Sequence, residues 1–287
     1  MAARGPQHSA LRPVAPVYLV DRFPGLHQEL MSLLRGLDET DWSRPTACAL
    51  WSVKDIVAHL LDTGLRRLSA GRDGFLPAPQ GIASYTDLVA YLNRLNVEWV
   101  TAARRLSPGV LLELMEVTAS QVHAFFGSLD PHAQALFGVA WAGEESSPVW
   151  FDIGREYTER WLHQEQIREA VGAPGLVSRD WLHPALDIFM RALPHTYRAV
   201  HAEPGRSIHF AIRGEAGGDW TLRRRTQGWS LFTGRDDGNA ARVSLDQETA
   251  WKLFSKGLSP EAARRGVSVE GDPMLGEPVF GALAVMA

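Results

Sequence analysis

The chain is 287 residues long, 45% hydrophobic and 22% charged, ordinary globular proportions that exclude collagen-like and wholly disordered classes. With 29 Lys and Arg against 33 Asp and Glu, its net charge of −4 argues against a general nucleic-acid binder, which carries a basic excess. A single cysteine, Cys48, excludes an internal disulfide framework and a Cys-based zinc finger, and ten tryptophans supply large rigid walls for a core or a cleft.

The first twenty residues lack an apolar run followed by a small-residue cleavage site, and no stretch of about 18 apolar residues occurs. The expectation is a cytoplasmic protein without a secretion signal or membrane segment. At roughly 100–200 residues per domain, the length implies two domains or one large one. Apolar residues recur at helical spacing from Val17 to Leu37, at Leu26, Leu30, Leu33, Leu34 and Leu37. Asp38 to Asp41 break the pattern, and Trp42 to Leu50, with Pro45, reads as a loop. Ser52 followed by Asp55 resembles a capping box, in which the hydroxyl and the carboxylate each accept from the other residue's backbone N–H. It opens a second helix with the stripe Val53, Ile56, Val57, Leu60, Leu61, Leu65 and Leu68.

Residues 71–81, with Pro77 and Pro79, predict a loop, and Ser84 to Leu106 a third helix stopped by Pro108. Leu111 to Leu129 is again periodic, Pro131 to Pro148 is irregular, and Trp150 to Val171 predicts a long helix closed by Gly172. The pattern then changes character. Trp181 to Tyr197 still reads as helical, but 207–214, 219–226, 228–234, 241–246 and 266–271 read as strands, the first three with clear period-2 alternation. Thr249 to Gly257 and Val279 to Met286 predict short helices, which makes the second half a small α+β domain.

Several familiar chemistries are missing: there is no GxSxG elbow, P-loop, strand-linked GxGxxG or HExxH. Cys48 reads as a half-buried structural cysteine, and Arg223 to Arg225 as a solvated strand end rather than a phosphate site. The histidines remain. Glu159 and His163, four residues apart on one predicted helix, share a face and can reach one ion. His59 lies at the edge of the apolar stripe of the second helix. A third ligand from another helix would complete a set that leaves coordination positions open for water or substrate. Periodicity leaves two readings open. The face with Asp152, Arg155, Glu159, His163 and Gln166 is either solvated or lines a polar cleft between helices.

The segment PTACALWSVKDIVAHLLD (45–62) resembles the opening of the DinB-like superfamily, in the branch of mycothiol-dependent maleylpyruvate isomerases. REYTERWLHQEQIREAVG (155–172) is similar to that branch's second block, and RLNVEWV (94–100) and VDRFPGLHQELMSLLRGL (20–37) fit more loosely. The resemblance covers about residues 14–172. WKLFSKGLSPEAARRGVSVEGD (251–272) is the best match to the family's C-terminal domain. The resemblance implies a two-domain α plus α/β protein. Residues 14–172 would form a DinB-like four-helix metal-binding bundle, and residues 176–287 a small α+β, sterol-carrier-like domain. It implies a divalent metal, Zn²⁺ by preference, on His59, Glu159 and His163, and mycothiol or a similar thiol as co-substrate. Asn96, Arg155 and Arg168 are candidate substrate or thiol anchors, with Arg223 or Arg225 a weaker contribution from the second domain. One departure is Gln166, where many relatives carry Asp.

The implied function is thiol-dependent cis–trans isomerisation of, or S-transfer to, a small electrophile such as maleylpyruvate. The partners are small molecules rather than nucleic acid or membrane, and the chain is a monomer or homodimer. The alternative is a non-catalytic metal-binding protein with a regulatory or stress role.

Overall fold

A computed structural model of the chain describes residues 11–76 and 82–285. The chain divides into two compact units. One comprises residues 18–140 and 145–176, the other residues 11–17, 141–144 and 177–285. Residues 14–17 and 141–144, grouped with the helices on sequence, therefore belong with the sheet.

The helical unit contains α1 (Phe23–Arg35), α2 (Val53–Arg67), α3 (Tyr85–Ala103), α4 (Pro108–Gly127) and α5 (Val149–Val171). Ser52 is the N-cap of α2, and both capping-box bonds form: Asp55 N–H donates to Ser52 Oγ at 3.3 Å, and Ser52 N–H to Asp55 Oδ2 at 3.1 Å. Helix α3 ends at Ala103, five residues before the Pro108 expected to stop it, and Pro108 occupies the first turn of α4, where its missing N–H costs nothing. Gly172 closes α5 at φ 70°, a left-handed conformation that a Cβ would strain.

Helix α2 packs against α3, α4 and α5, and α1 against α4 and α5. Their shared core includes Leu30, Met31, Leu34, Ile56, Val57, Leu61, Leu111, Met115 and Ile167. Each such side chain contributes about 1.5–3 kcal/mol by leaving water. Trp99 on α3 fastens that helix to α2 by donating its indole N–H to the Ala58 carbonyl at 2.8 Å.

Helix α5 differs in kind from the others. It buries apolar residues (Phe151, Tyr157, Trp161, Ile167) and polar ones (Asp152, Glu156, Thr158, His163, Gln164, Glu165, Arg168) alike. Of the two readings that periodicity leaves for the face with Asp152, Arg155, Glu159, His163 and Gln166, the structure takes the one between helices: Asp152 and His163 are buried and the other three half-buried, with partners around them. Arg67 of α2 donates to Asp152 at 2.7 and 3.2 Å and to Glu156 at 2.6 Å, while Arg160 reaches Glu156 at 2.6 Å. Burial opposes ionisation of Glu156, but Arg67 and then Arg160 override it and hold the carboxyl far below the usual range.

The second unit is built on a six-stranded sheet in the order β1-β4-β3-β2-β5-β6. Its strands are β1 (Arg12–Pro13), β2 (Ser207–Arg213), β3 (Gly218–Arg225), β4 (Gly228–Thr233), β5 (Ala241–Asp246) and β6 (Ser268–Gly271). Strands β2, β3 and β4 form an antiparallel meander, β5 runs parallel to β2, and β6 is antiparallel to β5. Its helices are α6 (Arg179–Met190), α7 (Leu193–Thr196), α8 (Gln247–Phe254), α9 (Pro260–Gly266) and α10 (Pro273–Gly276). Ile208, Phe210, Trp220, Leu222 and Val243 are buried with Leu186, Phe189 and Phe254, and the Phe189 and Phe254 rings stack at 6.2 Å.

Two expectations are corrected. The stretch 181–197 is two helices, α6 and α7, separated by a turn at residues 191–192. Residues 279–285 do not form a helix: a 3-10 turn spans Glu277–Gly281 and the chain then runs on irregularly. Helix α9 and strand β1 carry too few residues for a periodic signal and go unread. The expected loop at 71–81 is described only as far as residue 76, and its remainder, like residues 1–10 and 286–287, lies outside the described residues. Among the described residues no helix is long and apolar enough to cross a membrane.

Candidate metal centre

Helices α2 and α5 bring three side chains together. His59 projects from the middle of α2, and Glu159 and His163 from successive turns of α5. His59 Nε2 lies 2.9 Å from Glu159 Oε1, and His163 Nε2 lies 3.3 Å from the same oxygen. One ligand atom from each residue falls within 4.8 Å of the others. The His59 and His163 ring centroids are 4.8 Å apart at an interplanar angle of 77°, so the two rings meet edge to face with both Nε2 atoms at the carboxylate. Both histidines are buried, whereas the Glu159 side chain keeps 32% of its exposure and opens the cluster to solvent on one side.

The electrostatics follow from this packing. Burial lowers the His59 pKa, and the Glu159 hydrogen bond only partly opposes it. Burial pulls His163 the same way, but there the Glu159 carboxylate, with the Cys48 sulfur, wins and pushes the imidazolium up to about 10. Glu159 in turn is held well below the carboxylate range, because the two imidazoles, His163 first, outweigh its burial.

The donor set fits a divalent cation. Two imidazoles and a carboxylate suit zinc and other borderline first-row metals, and three protein ligands leave room for water or substrate. His59 Nδ1 is buried and has no hydrogen-bond partner among the described residues, whereas its Nε2 is engaged on the side where the other two ligand atoms lie.

Around the triad, Trp51 packs its ring 4.8 Å from that of His59 and 6.1 Å from that of His163, walling one side with apolar surface. Gln166 Oε1 accepts from His163 Nδ1 at 2.7 Å and from Cys48 Sγ at 3.2 Å. Cys48, read from sequence as structural, is therefore a neighbour of the cluster. It is brought there by its place three residues before Trp51, in a turn closed by the Trp51 N–H to the Cys48 carbonyl at 2.8 Å.

The remaining candidates each have partners of their own. Asn96 Oδ1 accepts from Arg66 Nη2 at 3.1 Å, and Arg66 pairs with the buried Asp62 at 2.9 Å. Arg155 is paired with Asp152 and approaches Glu156 at 3.6 Å. Arg168 donates to the Pro174 carbonyl at 2.8 Å and pairs with Glu29 at 3.2 Å. Arg225 lies over the Phe232 ring at 5.0 Å.

Fold and cluster together define a two-unit protein in which buried polar helix faces converge on a His–Glu–His set. The chain belongs to the mycothiol maleylpyruvate isomerase N-terminal domain family, whose sequence model matches residues 23–168. Among solved structures, the chain is similar to a mycothiol-dependent maleylpyruvate isomerase, with a TM-score of 0.50 and 11% identity over 88% of this chain and 92% of that one. A histidine-to-alanine mutant of that isomerase superposes with a TM-score of 0.49 at the same identity and coverage. A sec-alkylsulfatase from Pseudomonas sp. matches at 18% identity over 78% of this chain and 32% of that one, with a TM-score of 0.28. No curated protein matches the sequence.

Proposed function

We propose that the protein is a metal-dependent enzyme that uses a low-molecular-weight thiol of the mycothiol type on a small electrophilic substrate. The carrying observation is that His59, Glu159 and His163, from two helices a hundred residues apart in sequence, converge to within 4.8 Å in the unit matched by the family. In this reading the helical unit is a DinB-like bundle, the sheet unit is the sterol-carrier-like partner domain, and the compartment is a reducing cytoplasm. A bound divalent cation, most readily Zn²⁺, supplies positive charge that favours a thiolate over a thiol.

The chain's own residues do the rest. Two neutral imidazoles and one carboxylate cancel only part of the charge of a divalent cation, so a cation held there would keep a positive balance and favour an anionic sulfur. Trp51 keeps water from one side of the site, which strengthens each electrostatic contact there. Glu159, the most exposed of the three, faces the open side where a substrate enters. For a cis-enedioic substrate, thiolate addition makes the former double bond rotatable, and elimination returns the thiol with the trans isomer. For other electrophiles the adduct is released as the product of S-transfer.

The test has two parts. Purified protein is expected to carry one divalent cation per chain, and His163→Ala is expected to lose most of it, because an opened ligand set weakens binding steeply. Undiminished metal in that variant would refute the ligand assignment. Incubation with mycothiol and a panel of activated alkenes and cis-enedioic acids should then consume or isomerise at least one of them. Metal retention without any thiol-dependent turnover would instead identify a metal-binding protein without catalysis.

A further inference from the structure

The geometry points to Gln166, held in place by Cys48, as the residue that positions His163 for the cation; this rests on the metal reading above. His163 presents two nitrogens to different surroundings. Nε2 faces Glu159 and the cluster, and Nδ1 faces Gln166 Oε1 at 2.7 Å. An amide oxygen only accepts, so Nδ1 must carry a proton, and Nε2 is the nitrogen left to give up its proton to an incoming cation.

An amide has two chemically different ends, and the wrong end facing His163 would reverse this outcome. Cys48 meets the oxygen end. Its S–H donates to the same oxygen at 3.2 Å, so both acceptor positions of Oε1 are filled by donors. The Cys48 backbone is itself pinned, its N–H to Thr46 Oγ1 at 3.2 Å and its carbonyl to Trp51 N–H at 2.8 Å. Gln166 sits three residues beyond His163 on α5, on the same helical face, so the helix sets its reach. The sulfur stands on the Gln166 side of His163 and is not among the three residues whose ligand atoms converge, so Cys48 acts from outside the ligand set.

The choice of amide has a consequence of its own. A carboxylate at this position would add a negative charge beside the site and make the imidazole more basic. A neutral amide fixes the ring without that charge, so the cation stays electron-poor and keeps its preference for an anionic sulfur.

Chelator competition with Zn²⁺ and Co²⁺ on the full chain tests this, with the thermal midpoint of each metal-free variant as a measure of folding. Gln166→Leu is expected to weaken cation binding about 10- to 100-fold, the range found when an outer-shell partner is lost. Gln166→Glu, which keeps an acceptor at Nδ1, is expected to restore or exceed wild-type affinity. Cys48→Ala is expected to fall between Gln166→Leu and wild type, and Cys48→Ser close to wild type. Metal-free midpoints that stay together while affinities separate in this order would mark positioning rather than general destabilisation. Wild-type affinity in Gln166→Leu would overturn the inference while leaving the ligand set intact. A wild-type protein that binds neither cation would overturn both.

Discussion

Single residues decide the ends of helices here. Ser52 and Asp55 were legible in sequence because a capping box is local: its parts lie three residues apart and touch only each other's backbone. Ser52→Ala is expected to cost about 1 kcal/mol by chemical denaturation. Since α2 carries His59, the same variant should also loosen cation binding. Asp55 adds a dependence on pH. Burial alone would raise its carboxyl, but Arg104 and the Ser52 N–H hold it below its ordinary value of 3.8. The folded value lies below the unfolded one, so the stabilisation is complete above about pH 5 and disappears as the pH falls through the folded value. The gap in thermal midpoint between wild type and Asp55→Asn should therefore shrink steadily as the pH falls below about 5. A gap that widened on acidification would contradict this sign. His163 and Glu159 were also within reach of sequence reasoning, since helical spacing alone puts them together. Cys48 and Gln166 were not legible as a pair, because 118 positions separate them and nothing local joins them.

Among the elements, α5 is the one whose sequence misleads. Asp152, Arg155, Glu159, His163 and Gln166 gather on one face, which a wheel cannot tell from a wet one, yet Asp152 and His163 are buried, as are Glu156 and Arg168. Sequence periodicity reports only which residues are apolar; it does not show that Arg67 of another helix waits for two carboxylates. Removing one member of such a network leaves uncompensated buried charge. Arg67→Met is thus expected to destabilise the protein by about 3 kcal/mol, the low end of the usual range, because Arg155 and Arg160 remain beside the acids. Equal stability of Arg67→Met and wild type in urea would mean that the acids find water or protons instead. Strands and helices of ordinary length were read well in sequence. The two-residue β1, the seven-residue α9 and the four-residue α10 were not, because a pair of residues or one or two turns carry no period.

For the whole molecule, the division into two units with separate cores assigns ligand effects to one of them. A cation held by α2 and α5 stabilises folded protein by mass action, about 2.7 kcal/mol at a hundredfold excess over its dissociation constant. Hydrogen exchange should slow in α2 and α5 when Zn²⁺ is added, with β2 and β3 unchanged. Equal slowing throughout the sheet would argue for a cation site other than the His–Glu–His cluster. The units are not consecutive halves of the gene, however. Strand β1, far upstream of the other five, lies along β4 with Arg12 opposite Thr233 and Pro13 opposite Phe232, and it covers what would be the sheet's outermost row of backbone groups. A clone beginning at residue 177 would bare that row, and bared rows of this kind recruit strands from other chains. Such a truncation is expected to precipitate or self-associate, and a fusion that restores residues 11–17 ahead of it to stay in solution, so anyone wishing to study the sheet apart from the helices must carry along a piece of chain from the opposite end of the gene.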